Sequence, residues 1–433
     1  MSSVETVSAL ERRLSASIPQ QDIRSQVSVR LKNLGRNARI SGFRPGKAPA
    51  KVIEQYYGAQ AYQDALNDAL QRSFSEVSEI NNLRVAGAPR FEVKTQDQNA
   101  DQIEYSATFE IYPEVVVGDL SGISIERLVY ELTQDNVDNT IATLRKQRTK
   151  FEKVSRAAQS GDRVTIDFVG KLNGETFPGG EAKNLPVVLG VGSMLADFEA
   201  AITGMKTGQP KSFDVTFPAD YHGKDIAGKL VSFTVTLHGV EAPHLPEIDA
   251  EFVKAIGIAD GDVNKLDGEI RQNLAREVSR RLGVRNKDAV MDALLQVTKF
   301  EAPKVLLEKE QQDLMHHTLE EMESRGIKTK GMPLNPELFK ERAEKRVKLG
   351  LILAALVQKQ GLRAEADQVK AMIENYAQGF DEAEQIIRWY AAEPSRMLEV
   401  ENLVLEENVV NWVMGQAKTT DKQAIFAELM GSE

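Results

Sequence analysis

The sequence predicts a multidomain α+β protein, with an α+β domain first, a β-rich domain in the middle and a long α-helical domain last. With 433 residues, the chain is long enough for about two to four domains of ordinary size. Apolar and polar residues alternate in runs between Gly161 and Val240, as in half-buried strands. After about Leu245, long amphipathic helical patterns replace this alternation, while residues 1–113 mix both signals.

The N-terminal domain, predicted over residues 1–115, combines helices with strands. Its opening stretch is strand-like, and a helix follows with Asp22 as its N-cap and apolar residues at helical spacing. The stretch 49–80 predicts one or two helices broken near Gly58, and strands are expected within residues 83–111.

Three further segments complete the predicted organisation. Residues 116–152 form a connector, in which a strand-like piece precedes a polar helix. Residues 153–243 form the β-rich domain, with glycine-rich turns between its strands and a short helix around Phe198. Residues 244–433 form the helical domain, where the strand signal disappears.

The composition excludes several kinds of chemistry. The formal net charge is −10, which argues against a nucleic-acid binder that uses the whole chain. Cysteine is absent, so disulfides, thiolate metal sites and cysteine nucleophiles are excluded. None of the five histidines has the spacing of a helical HExxH site, and no Walker-type phosphate loop is present. We therefore expect no metal and no cofactor, and the lack of a leader or membrane-spanning run favours a cytoplasmic protein.

The middle domain carries three segments in a characteristic order, "LGVGSMLADFEAAITGM", "TFPADYHG" and "FTVTLHGV". Together with the strand "GDRVTIDFVGKLNG" before them, they resemble an FKBP-type peptidyl-prolyl isomerase domain. The resemblance implies an apolar pocket that holds proline. The positions it assigns to the pocket are Phe168, Phe177, Met194, Leu195, Phe198, Tyr221, His222 and Phe233.

The chemistry of isomerisation is compatible with such a site. Rotation of a peptide bond meets a barrier of about 18 to 20 kcal/mol, and no covalent bond is broken. An apolar pocket accelerates the rotation by holding the proline ring, excluding water and favouring the twisted amide, without a nucleophile or a metal. The alternative interpretation is that these aromatic side chains are only the core of a small β domain.

A basic segment distinguishes the N-terminal domain. Between Asp22 and Glu54 the sequence has no acidic residue, whereas eight Lys and Arg side chains accumulate there. Glycines and prolines shape the loop "GFRPGKAP" within this segment, and they leave Phe43 at its tip. Such a surface suits phosphate groups or an acidic partner, with the aromatic ring as an anchor.

The loop "GFRPGKAP" and the order of the domains resemble the trigger factor family of ribosome-associated bacterial chaperones. This resemblance implies that the loop docks on the large ribosomal subunit beside the polypeptide exit tunnel. The residues it assigns to ribosome binding are Gly42, Phe43, Arg44, Pro45, Gly46 and Lys47. It also implies binding of nascent and unfolded polypeptides without ATP, partial association with ribosomes and no membrane partner. A homodimer of the free protein stays open.

For the helical domain, the resemblance implies two arms that form a cradle for unfolded chains. Met and Leu side chains on otherwise charged helices agree with that role. They are Leu314, Met315, Met322, Met372, Met397 and Met414. The alternative is that these side chains only pack helices together. Two other functions also stay open: a free FKBP-type isomerase without ribosome docking, and an RNA-binding protein that uses the basic helix and loop.

Overall fold

The computed structural model describes most of the chain. The described residues are 2–41, 43, 46–95, 100–221, 223–329, 331–332, 334–378, 380 and 382–431. The chain divides into two compact units, Met1–Val129 with Gly283–Gln423, and Tyr130–Leu282 with Ala424–Glu433. Each unit is therefore assembled from two separate stretches of sequence. Within the described ranges, no helix is both long and apolar enough to cross a membrane. The predicted multidomain α+β class is confirmed.

The N-terminal part of the first unit is an antiparallel sheet that packs against helices. Its strands are β1 (Ser3–Thr6), β2 (Glu11–Pro19), β3 (Val85–Val93) and β4 (Gln102–Ile111), in the order β1-β2-β4-β3. The helices are α1 (Gln20–Asn37) and α2 (Ala50–Ile80). Every second residue of β2 is buried, and Leu14, Ala16 and Ile18 share one core with Ala65 and Leu70 of α2.

Both helices differ from the sequence-based predictions. Helix α1 begins at Gln20 directly after the extended Pro19, so Asp22 lies in its first turn, and the prediction of Asp22 as N-cap is wrong. Helix α2 runs unbroken through Gly58, contrary to the predicted break. A glycine inside a helix costs only about 1 kcal/mol relative to alanine. The buried apolar face of α2 outweighs that cost.

The predicted connector is divided between the two units. After the first sheet, the chain forms β5 (Ser124–Val129) and then α3 (Gln134–Gln147). Strand β5 belongs to the first unit, whereas α3 belongs to the second. The backbone therefore passes from one unit to the other between these two elements.

The second unit contains the β-rich domain. Its strands are β6 (Lys150–Val154), β7 (Arg163–Leu172), β8 (Glu175–Val188), β9 (Pro210–Thr216) and β10 (Leu230–His244). They pair in antiparallel fashion in the order β6-β10-β7-β8, and β9 also pairs with β10. Helix α4 (Ala196–Ile202) follows β8 and packs on the sheet. The alternation in β7 buries Val164, Ile166 and Phe168 in the core that α4 covers.

Helices dominate the rest of the chain, as predicted. They are α5 (Ala250–Ala255), α6 (Leu266–Val297), α7 (Lys304–Ser324), α8 (Lys340–Gln360), α9 (Ala366–Ala377), α10 (Ala383–Ala391) and α11 (Pro394–Gln416). In the second unit, Phe252 and Leu266 pack with apolar side chains of α3. In the first unit, Leu294, Ile352 and Val413 form one core between α6, α8 and α11.

The prediction that the C-terminal region lacks strands is wrong at one place. Strand β11 (Lys418–Gln423) pairs in parallel with β5, and the short helix α12 (Phe426–Met430) follows it. The sequence "KTTDKQ" has no alternation of apolar residues, so it carries no strand signal. Side chains that are distant in sequence connect β5 and β11 instead. Arg127 donates hydrogen bonds from Nε and Nη2 to the Asp421 carboxylate at 2.7 and 2.8 Å.

Candidate functional site

Three phenylalanine rings from three different elements meet in the β-rich domain. Phe168 comes from β7, Phe198 from α4 and Phe233 from β10, and all three are buried. The ring centroids of Phe198 and Phe233 lie 5.2 Å apart, and those of Phe168 and Phe198 lie 5.7 Å apart. Both pairs meet edge to face, which is a favourable geometry for aromatic rings. We call these rings, with Phe213 and Phe217, the aromatic cluster.

A glycine makes room for this arrangement. Gly170 pairs with Phe233 across the β7–β10 ladder. A Cβ atom built on Gly170 would lie 2.6 Å from Cε1 of the Phe233 ring. That distance is far below van der Waals contact, so any other residue would displace the ring. The "FVGKL" sequence of β7 thus determines the position of a ring on the neighbouring strand.

Four partly exposed side chains pack against the buried core to which Phe168, Phe198 and Phe233 belong, and we call them the rim. They are Phe177, Met194, Leu195 and Tyr221. The structure therefore brings seven of the eight predicted pocket residues together, three buried and four partly exposed. His222, the eighth, lies outside the described residues. A buried aromatic floor with a partly open apolar rim is the kind of surface that can hold a proline ring.

Two aromatic residues of the cluster were missed by the sequence-based prediction. Phe213 lies 5.4 Å from Phe198, centroid to centroid. The ring centroid of Phe217 lies 4.8 Å from that of Tyr221 and 6.3 Å from that of Phe233, so Phe217 links the rim to the buried aromatic floor. Both belong to the alternating run "SFDVTF" of β9 and the residue after it. That alternation could have identified them.

A buried carboxylate stabilises the turn before β7. The side chain of Asp162 is only 1% exposed, and it accepts hydrogen bonds from Nη2 of Arg156 and from the backbone N–H of Gln159, each at 2.8 Å. The hydrogen bond from Arg156 is the main reason that the pKa of Asp162 is lowered. The Asp162 carbonyl also accepts from the N–H of Leu189 at 2.9 Å, which connects this turn to the end of β8.

The face of β7 opposite the aromatic cluster carries titratable side chains. Asp167 alternates with the buried Phe168, and His238 Nε2 lies 2.8 Å from its Oδ2 atom. The pKa of Asp167 is lowered first by the backbone N–H of Asn184 and then by His238. Among the described residues, no group of three or more His, Asp or Glu side chains could hold a metal ion.

The basic loop, residues 42–47, lies in the sequence between the end of α1 at Asn37 and the start of α2 at Ala50. The backbone N–H of Phe43 donates to the carbonyl of the buried Ile40 at 3.1 Å, and the Phe43 side chain is 41% exposed. Gly46 has a φ of +76°, and a Cβ atom there would lie 3.1 Å from the carbonyl oxygen of Arg36. Lys47 is exposed. The predicted residues Gly42, Arg44 and Pro45 lie outside the described residues.

A cleft between α1 and α2 opens beside the basic loop. It encloses about 1210 Å³, and its walls include Lys32 and Arg36 from α1 and Ile53 and Tyr62 from α2. Another cation of the basic segment, Arg30, forms an ion pair with Asp68 of α2. The predicted segregation of positive charge is therefore partly compensated by the neighbouring helix.

The helical domain exposes a group of aromatic rings, which we call the arm patch. It consists of Tyr376 on α9, Trp389 and Tyr390 on α10, and Phe380 between these helices. Trp389 is 51% exposed, and the Arg396 guanidinium lies 3.8 Å from its ring centroid. The rings of Tyr376 and Tyr390 lie 6.0 Å apart, edge to face. Rigid, half-exposed aromatic rings of this kind suit contact with apolar polypeptide segments.

Most of the Met and Leu residues that the sequence suggested for binding unfolded chains lie outside the arm patch. Leu314 is buried, Met372 and Met397 pack against the core between α9 and α11, and Met414 packs against the core between α6, α8 and α11. The packing interpretation therefore describes these four better than an open binding surface does. Met315 and Met322 on α7 are half-buried.

Family models match three parts of the chain. The model "Bacterial trigger factor protein (TF)" matches residues 1–144, and its C-terminal counterpart matches residues 262–415. Between them, the model "FKBP-type peptidyl-prolyl cis-trans isomerase" matches residues 154–238, which include the aromatic cluster and the rim. The predicted isomerase domain is thus confirmed.

Curated relatives match the whole length. The trigger factor of Herminiimonas arsenicoxydans is 47% identical over 440 residues, covering 99% of this chain and 98% of its own. That of Dechloromonas aromatica (strain RCB) is 49% identical over 424 residues, covering 98% of each. A solved chain titled "Promiscuous Substrate Recognition in Folding and Assembly Activities of the Trigger Factor Chaperone" covers 95% of this chain and 99% of its own. Its identity is 16% and its TM-score 0.47.

Proposed function

Because this chain belongs to the trigger factor family, we propose that it is an ATP-independent chaperone that binds ribosomes, shields nascent chains and isomerises X-Pro bonds. The full-length family match carries this proposal. The isomerase domain, the basic loop and the arm patch support the proposal as candidate locations for these activities. A cytoplasmic location, partly on ribosomes, follows from the same assignment.

The isomerase works by shape and exclusion of water. The rim holds the proline ring over the aromatic cluster. Phe198 of this cluster is only 1% exposed, so its ring cannot move without losing packing contacts. In this apolar surrounding the amide loses its solvent hydrogen bonds, and the twisted state, which has less charge separation, becomes easier to reach. No proton transfer is required, which agrees with the position of the Asp167–His238 pair on the other face of β7.

Ribosome docking uses the basic loop. Its exposed Phe43 ring provides an apolar anchor, Lys47 provides attraction to phosphate or acidic groups, and Gly46 provides the left-handed turn between them. Arg44, which follows Phe43 in the sequence, would add a second cation. The partner is the large ribosomal subunit near the exit tunnel, where protein and RNA surfaces adjoin.

The arm patch is proposed to hold nascent and unfolded polypeptides. Its rings bury apolar side chains of a client without a fixed sequence, because each ring offers a large apolar area at low entropic cost. Free copies expose the same apolar surfaces, which favours a homodimer off the ribosome. Sedimentation of the purified protein at several concentrations measures this dimer.

Ribosome co-sedimentation tests the docking. The variant Phe43→Ala with Lys47→Ala should bind at least about tenfold more weakly, since an aromatic anchor and a cation are both lost. The matched control is Ile80→Ala with Lys94→Ala, an exposed apolar residue and an exposed lysine of the same domain. If the loop variant pellets with ribosomes as the control does, the docking role is wrong. If the protein binds naked RNA as tightly as it binds ribosomes, and this binding weakens steeply with salt, the RNA-binding alternative is favoured.

Proline-limited refolding of a client protein tests the isomerase site. The variant Phe198→Leu should slow catalysis strongly, because it removes the central ring while keeping an apolar side chain. The matched control is Phe74→Leu, a buried phenylalanine of the N-terminal domain. An unchanged rate for Phe198→Leu would show that these rings are only a core.

A further inference from the structure

We propose that Glu199 is a positioning residue for X-Pro isomerisation, which fixes the loop 190–195 and thereby places two rim residues over the aromatic cluster. This inference rests on the proposed isomerase pocket. It adds a residue that neither touches the proline ring nor belongs to the rim, yet determines the shape of the site.

The geometry is that of one carboxylate holding both ends of a loop. Glu199 lies on α4 and is only 7% exposed. Its Oε2 atom accepts a hydrogen bond from the backbone N–H of Gly190 at 2.7 Å, and its Oε1 atom accepts from that of Met194 at 3.0 Å. The loop between these two donors is thus closed onto the helix that follows it.

A buried carboxylate is costly unless it is hydrogen-bonded, so its presence here needs a reason. Packing alone would be served by an apolar residue at this place in α4. The two backbone donors satisfy the charge, and hydrogen bonds to an ionised acceptor are stronger than neutral ones. The first end of the loop is constrained further, because Gly190 has a φ of +85° and a Cβ atom there would clash with Oγ of Ser160.

The consequence for the site follows from the order of residues. Met194 and Leu195 end the loop and form half of the rim, whereas Phe198, next to Glu199 on α4, belongs to the floor. Glu199 therefore fixes the distance between rim and floor through two hydrogen bonds. A loop released from Glu199 would hold the proline ring less well.

The kinetic signature of this role can be derived. The proline ring keeps its shape while the bond before it rotates, so rim contacts are made in the ground state and in the transition state alike. Loss of such uniform binding raises KM and leaves kcat nearly unchanged. A residue needed only for folding would instead lower the amount of active protein, with KM unaltered.

The test compares Glu199→Gln with Asp197→Asn in the full-length chain. Glutamine has the same shape but only one acceptor oxygen, so it can satisfy only one of the two donors. Asp197 is exposed on the same short helix, and its substitution removes the same charge. Isomerisation of a peptide with one X-Pro bond is followed by NMR exchange, together with hydrogen exchange at the Gly190 and Met194 amides.

We expect Glu199→Gln to raise KM about five- to tenfold with kcat within about twofold, which is the value of about one hydrogen bond of ordinary net strength, because glutamine keeps the other. Exchange should accelerate by a similar factor at whichever of the Gly190 and Met194 amides loses its acceptor, while Asp197→Asn behaves as wild type. Equal KM values for the two variants, or a loss of folded protein alone, would overturn the inference. Failure of the isomerase assignment is distinguishable, because wild type and Phe198→Leu would then catalyse at the same rate.

Discussion

The ring of Phe233 lies directly over the backbone of Gly170, so close that a methyl group on Gly170 would come within 2.6 Å of it. These residues face each other on neighbouring strands, β7 and β10. The position of an aromatic ring in the proposed pocket therefore depends on the absence of a side chain opposite it. This relationship gives the first prediction.

Gly170→Ala should impair the isomerase more than it impairs the other activities. Overpacking of a core by one methyl group costs about 1 to 3 kcal/mol, and here the ring that must move is part of the floor. We expect a slower proline-limited refolding reaction and a lower thermal midpoint. Gly239→Ala is the control, because a Cβ atom on this glycine of β10 would have nothing within 4 Å. Equal activity of both variants would show that Phe233 tolerates displacement.

Asp162→Asn should reduce stability in a pH-dependent manner. The folded-state pKa of Asp162 is lowered, chiefly by Arg156, so its contribution is fully present above the unfolded pKa of about 4. That contribution is lost as the pH falls through the lower folded-state pKa. We expect a loss of about 2 kcal/mol at pH 7, the value of a charged buried hydrogen bond.

Urea unfolding of the wild type and of Asp162→Asn, from pH 7 down to pH 3, measures this effect. The difference between the two proteins should be constant at neutral pH and shrink below about pH 4. Asp214→Asn, an exposed aspartate on β9, is the control for loss of charge. A difference that does not change with pH would contradict the assignment of the stabilisation to the ionised carboxylate.

Gly87→Ala should loosen the contact between β3 and α7. Gly87 has a φ of +76°, and a Cβ atom there would lie 2.6 Å from Cγ1 of Val305, near the start of α7. The neighbouring Glu110 carboxylate accepts from the Val305 N–H at 2.9 Å, so the same place carries a helix cap. Overpacking and backbone strain together predict a loss of about 2 to 4 kcal/mol.

A double-mutant cycle with Val305→Ala separates the two causes. The second substitution removes the clash but not the backbone strain, so the double variant should be more stable than the sum of the single effects predicts. Gly122→Ala, where a Cβ atom would have nothing within 4 Å, is the control. Strict additivity would mean that the contact between β3 and α7 adjusts without cost.

Tyr376→Ala with Trp389→Ala should weaken chaperone activity without lowering stability. Both rings are more than half exposed, so their removal should change the free energy of unfolding by less than about 1 kcal/mol. Suppression of client aggregation should require about three- to tenfold more protein, because two aromatic contacts are lost. Leu230→Ala with Ile80→Ala, exposed apolar residues elsewhere, is the control. If both double variants act alike, the arm patch has no special role.

Local patterns predicted the parts of the fold that alternation or helical period determines. The buried faces of β7 and β10 were readable because Ile166, Phe168 and Phe233 stand at every second position. Strand β11 was not predictable, because its pairing partner β5, with Arg127, is far away in sequence. The break expected at Gly58 failed because one residue's propensity is weaker than the burial of a long helix face.

The candidate site shows the same limit. The resemblance to an FKBP-type domain supplied seven residues that the structure brings together. Glu199 carries no signal in the sequence, since a glutamate in a short helix is ordinarily a solvent-exposed side chain. Only its burial and its two backbone partners distinguish it from Asp197.

The parallel pair of β5 and β11 has a consequence for the folding of this protein during its synthesis. Asp421 follows Arg127 by 294 positions. A ribosome that adds about 5 to 20 residues per second needs about 15 to 60 s for that length. Strands β6 to β10 lie together in the sequence and can pair earlier, but β5 must wait until translation is almost complete. Each new copy therefore leaves the ribosomal exit tunnel before its fold is complete, as do the nascent proteins that it is proposed to protect.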